Sequence, residues 1–93
     1  MKVKLSKYDL GVVINALNNY QQLFENEPCF CEFILRLVDL YEEMKSERNK
    51  KIVFQPVEIQ YIRSCLIAWR NDSIRAEKNV AVGAISETFA KFI

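Results

Sequence analysis

Only two glycines, Gly11 and Gly83, occur in this chain of 93 residues. Sandwiches and barrels turn many times, and their tight turns draw on glycine wherever φ must be positive. Two isolated glycines argue against a turn-rich β architecture. They also leave no phosphate-cradling loop and no dinucleotide fingerprint. The apolar residues instead recur at steps of three and four, the spacing of helix faces. The expected fold is therefore all-α, a small bundle of three or four amphipathic helices in one domain.

The first helix is the best marked. Ser6 stands as its N-cap with Asp9 three residues on, a carboxylate version of the capping box, and Leu5 and Leu10 hold the spacing of a hydrophobic staple. Leu10, Val13, Ile14, Leu17, Tyr20 and Phe24 then mark one face, which predicts a helix over about 6–24. Pro28 suits the first turn of a second helix, over about 28–48. Its main stripe is Phe30, Phe33, Ile34, Leu37, Leu40, Tyr41 and Met44, with Cys31, Leu35 and Val38 as a flanking stripe. On its polar face Glu32 and Arg36 stand at the favourable (i, i+4) spacing.

Lys45 to Lys51 is the most polar window, and Ile52-Val53-Phe54 reads as extended before Pro56. Pro56 opens a third helix over about 56–70, with Glu58 in its first turn and Ile59, Ile62, Leu66 and Trp69 inward. Asn71-Asp72-Ser73 reads as a break, because such side chains compete for backbone hydrogen bonds. The last helix then runs over about 73–92 with Ile74, Ala81, Ile85, Phe89 and Phe92 inward. The rival is one rod from 56 to 92, ~55 Å long, which would force dimerisation. A weak repeat supports two hairpins: Leu5 to Tyr20 aligns with Phe54 to Trp69 at an offset of 49. Two amphipathic helix starts would also look alike without duplication.

With 51% apolar and 27% charged residues the chain has the composition of a globular domain. Its formal charge of +1 weakens the electrostatic case for a nucleic-acid binder. The distribution is uneven, since residues 1–47 carry 5 basic and 8 acidic side chains while residues 48–93 carry 8 and 4. No run is long and apolar enough for a membrane span, and Met1 to Leu5 lacks the apolar core of a signal peptide. An odd number of cysteines (Cys29, Cys31, Cys65) argues against a disulfide framework and for a reducing, cytoplasmic setting.

Little here suggests catalysis. Without histidine the commonest general base is missing, along with most zinc arrangements. Cys29 and Cys31 point about 200° apart on a helix and cannot chelate one ion together, so all three cysteines read as small buried apolar residues. Glu32, Asp39, Glu42 and Glu43 lack a matching acidic helix and read as a solvated face. No metal and no cofactor are expected. Lys45, Arg48, Lys50 and Lys51 form a basic interhelical group that could grip phosphates. Arg63 and Arg70, beside Tyr61 and Trp69, could supply charge and stacking for a nucleotide or single strand. The simpler reading makes the basic loop solvated and the two aromatics core. A helix-turn-helix is disfavoured by the absence of a tight glycine turn and of a basic recognition helix.

The opening KLSKYDLGVVINALNNY resembles that of small accessory proteins of phages and mobile elements in AT-rich bacteria. The resemblance lies in Leu5, Ser6, Asp9, Ile14, Asn15, Ala16 and Leu17 and covers about the first 20 residues. It implies a non-enzymatic binding protein, such as an inhibitor or adaptor that occludes a host or defence macromolecule, and carries no active-site residues. The alternatives are a ligand- or nucleotide-sequestering oligomer and a nucleic-acid-associated regulator. A protein partner is the leading expectation and nucleic acid is not favoured. The wide apolar face of the second helix and the aromatic chain end predict self-association as a dimer, through Leu35, Val38, Phe89 and Phe92.

Overall fold

Local capping chemistry sets where the helices start. In the computed structural model, which describes residues 1–46 and 48–93, the Ser6 hydroxyl accepts from the Asp9 backbone N–H at 3.0 Å. The Asp9 carboxylate in turn accepts from the Ser6 N–H at 3.0 Å. This reciprocal box opens α1, Lys7–Asn19, while the stapling residues Leu5 and Leu10 are both fully buried. The expected helix to residue 24 is cut short, because Gln21–Phe24 tightens into a 3₁₀ turn. Helix α2 spans Pro28–Glu43 with Pro28 in its first turn. It ends before the expected residue 48, and Glu47 lies outside the described residues. Helix α3 spans Pro56–Arg75 and α4 spans Asn79–Ala90. At the start of α3, Gln55 and Glu58 form a second capping box, at the place the repeat assigns to Ser6 and Asp9.

The expected break at Asn71-Asp72-Ser73 does not occur, and neither does the continuous rod to 92. The side chains that were to break the helix are engaged elsewhere: Asp72 accepts from the Tyr20 hydroxyl and from Arg75, and Ser73 is buried. Helix α3 stops where Glu77 adopts φ 57° and Lys78 and Glu77 donate their N–H groups to Ser73 and Ile74. That is a Schellman closure with glutamate at the position usually held by glycine. Ile74, expected inward, is therefore exposed.

Two short strands complete the chain: β1, Lys2–Leu5, and β2, Lys50–Val53. Extended structure at 52–54 was expected, but its antiparallel pairing with the N-terminal segment was not. The register sets Lys2 opposite Val53, Val3 opposite Ile52, Lys4 opposite Lys51 and Leu5 opposite Lys50. The element order is thus β-α-α followed by β-α-α. Val3 and Ile52 are separated by the repeat offset of 49 and face each other in the ladder, which is where a twofold relating the halves would pass.

The two halves interlock. Helix α1 packs on α2, α3 and α4, and α3 packs on α4. Two ion pairs cross between halves: Lys91 reaches Asp9, and Arg36 reaches Glu58 rather than its helical neighbour Glu32. The core joins Leu10, Val13 and Leu17 of α1 to Phe33 and Leu37 of α2 and to Ile62 and Leu66 of α3. Phe92, expected at an intersubunit surface, is instead 0% exposed, its ring 5.6 Å from Phe54. Phe92 is thus covered within a single chain.

Candidate nucleic-acid interface

The ribbon has one wet and one dry face, because successive strand residues point to opposite sides. Val3 and Leu5 are buried and Ile52 is half-buried, so these three hold the ribbon onto the helices. The outward positions are Lys2, Lys4, Lys51 and Val53, all exposed. Lys4 and Lys51 stand directly across the ladder from one another. Like charges so placed are destabilising in the free protein. Lys50 follows at the same end of the ribbon, and the segment leading into it brings Lys45 and Arg48, which share a depression of about 270 Å³ with Glu43, Asn49 and Lys50. Among the described residues, none of these six cations forms an ion pair.

Two acids near the ribbon, Asp9 and Glu58, are engaged by cations outside it. Burial alone would push the Asp9 carboxyl up, but the hydrogen bonds from Lys91 and Ser6 and the Lys91 charge hold it below its usual range. Glu58 is matched by Arg36. The outward face of the ribbon thus carries three lysines and no acid even though the chain as a whole carries only +1.

The basic residues singled out by sequence fall into two groups. Lys45, Arg48, Lys50 and Lys51 come together, and the fold adds Lys2 and Lys4, which sequence reading missed. The signal was present, since Lys2, Val3, Lys4, Leu5 alternates as a half-buried strand does. Arg63 and Arg70 do not join them. Arg63 donates to the Phe92 carbonyl and Arg70 donates to the Ser86 hydroxyl at 2.9 Å, so they clip α4 and the turn after it onto α3. Tyr61 is buried against Phe24, Phe30 and Phe33 rather than free for stacking. Trp69 is half-buried and lines an apolar cleft of about 340 Å³ with Tyr8, Gly11 and Tyr41. The anticipated pairing of these aromatics with Arg63 and Arg70 is not assembled.

Of the expected self-association residues, Leu35 is 65% exposed, Val38 and Phe89 are half-buried, and Phe92 is core. The cysteines also divide. Cys65 is buried, and burial pushes its thiol up to about 11, whereas Cys29 and Cys31 are exposed rather than packed as expected. Among the described residues no group of His, Cys, Asp and Glu is placed to hold a metal ion, and no helix is long and apolar enough to cross a membrane. Comparison with known proteins found no matching family model, no similar curated protein and no similar solved structure.

Proposed function

We propose that this protein is a non-enzymatic DNA-binding module that docks its two-stranded ribbon against duplex DNA. One observation carries the reading: three of the four outward ribbon side chains are lysines, two of them opposed with no counter-ion among the described residues. An anionic partner relieves that repulsion, and the phosphate backbone supplies anions along its whole length. The major groove of B-form DNA admits a two-stranded ribbon, whereas the A-form RNA major groove is too narrow for side chains to read. Single strands are bound on stacking aromatics, and the outward ribbon face has none. The three unpaired thiols suit the reducing compartment in which DNA is met.

The test is fluorescence anisotropy with a mixed-sequence 24-bp duplex across a salt series. If four or five of the cations engage phosphates, affinity should fall roughly 150–500-fold between 50 and 200 mM salt. Lys4→Glu/Lys51→Glu, with its fold checked by circular dichroism, should bind at least tenfold more weakly. Absence of binding at 50 mM salt and ~10 μM protein overturns the proposal.

A second reading keeps the inhibitor or adaptor role suggested by the N-terminal resemblance. It draws on the outer face of α2, where Leu35 and Cys31 are exposed. A protein partner seated there would be lost in Leu35→Glu while DNA binding persisted.

A further inference from the structure

At the repeat offset of 49 the two strands differ at one outward position, and that difference has a consequence for which DNA is read. At the offset of 49, Lys2 corresponds to Lys51, but Lys4 corresponds to Val53. One end of the ribbon therefore presents Lys4 and Lys51, and the other presents Lys2 and Val53. The remaining cations deepen the asymmetry. Lys50 continues β2 at the Lys4/Lys51 end, and Arg48 and Lys45 lie on the segment leading into it. Val53 is 62% exposed at the opposite end, where the neighbouring cleft is lined by Leu37, Leu40 and Ile52 together with the paired Arg36 and Glu58.

We infer that the ribbon recognises a short, non-palindromic duplex sequence in a single orientation, with Lys4 and Val53 as the residues that distinguish its two halves. This rests on the ribbon docking proposed above. A lysine ammonium in the major groove is a donor suited to the O6 and N7 acceptors of guanine. A valine side chain offers no donor and instead packs against the one apolar feature of the groove, the thymine methyl. The half-site under Lys4 therefore contains guanine, and the half-site under Val53 contains thymine. Lys2 and Lys51, alike in both halves, hold the backbone on either side. The extra cations at the Lys4 end strengthen phosphate contacts there and fix the orientation.

The experiment is selection from a randomised duplex pool, followed by affinity measurement on the enriched sequence. The parent should enrich an asymmetric motif, guanine in one half and thymine in the other. Val53→Lys makes the outward ribbon positions of the two halves alike and should enrich a motif with guanine in both half-sites. Lys4→Val, the reciprocal change, should enrich one with thymine in both. Replacing the critical thymine by deoxyuridine removes a single methyl and should weaken parent binding about fourfold, with no effect on Val53→Lys. This last measurement on the parent needs no variant to fold. A symmetric or featureless motif from a parent that still retains duplex overturns the inference and leaves the docking intact. Failure of the parent to retain any duplex removes the docking itself.

Discussion

Replacing Lys51 by glutamine should stabilise the free protein while weakening its hold on DNA. Lys51 and Lys4 are directly opposed in the antiparallel ladder and neither has a described counter-ion. Opposed side chains start with Cβ atoms ~5 Å apart, so ammonium groups extended in parallel lie about 6 Å apart. In water two unit charges at that separation repel by ~0.7 kcal/mol, within the 0.2–1 kcal/mol typical of cross-strand pairs. Glutamine keeps the length of the side chain and removes the charge. Urea unfolding at low salt should therefore show Lys51→Gln more stable by about 0.5 kcal/mol. The gain should vanish near 1 M salt, where the screening length falls to ~3 Å. A double-mutant cycle with Lys4→Gln makes the origin explicit, because neutralising the second lysine should add almost nothing once the first is gone. The same Lys51→Gln variant should lower the salt slope of DNA binding by about one phosphate contact, alike on different sequences. A variant no more stable than the parent, or one whose gain survives high salt, would show that these lysines do not face each other across the ribbon.

The helix termini and the core give further expectations. Glu77→Gly should stabilise by roughly 1 kcal/mol in the same urea assay, because glycine carries no Cβ penalty at the φ of 57° that closes α3; a loss instead would mean that Glu77 is held there by its side chain. Phe92→Ala should cost about 3–5 kcal/mol, whereas the exposed Leu35→Ala should stay within ~0.5 kcal/mol. The reverse ranking would move Phe92 to an interface. Asp9 has a folded pKa below its ordinary 3.8, so its stabilising contribution is complete above that value and is lost as pH falls through the folded value. Urea midpoints of the parent should accordingly drop more steeply than those of Asp9→Asn below about pH 4. Finally, a thiol reagent at neutral pH should modify two cysteines of the native protein quickly, and Cys65 only after unfolding.

Interactions within a few residues of sequence were legible without the structure. The Ser6–Asp9 box, the Leu5–Leu10 staple and the prolines opening α2 and α3 all act over one helical turn, so the residues that make them are adjacent in the text. The helical class follows for the same reason, since a face repeating every three or four residues has few other uses. Half of the repeat was visible too, because the caps that begin α1 and α3 use the same chemistry. What sequence could not decide involves partners about forty or more residues away. Asn71-Asp72-Ser73 looks like a helix breaker until Tyr20 occupies Asp72 and the core takes Ser73, leaving the backbone free to continue. Phe92 looks like an unpaired aromatic until Phe54 arrives beside it. The candidate interface belongs to this second kind. Lys2 and Lys4 are two solvated residues at one end of the text, and Lys50 and Lys51 sit in a polar window far away. Net charge sums such residues without regard to place, and an electrostatic field does not. Only the antiparallel register, set by burying Val3 and Leu5 on the inner face beside half-buried Ile52, brings Lys2, Lys4 and Lys51 onto one surface, with Lys50 at its end.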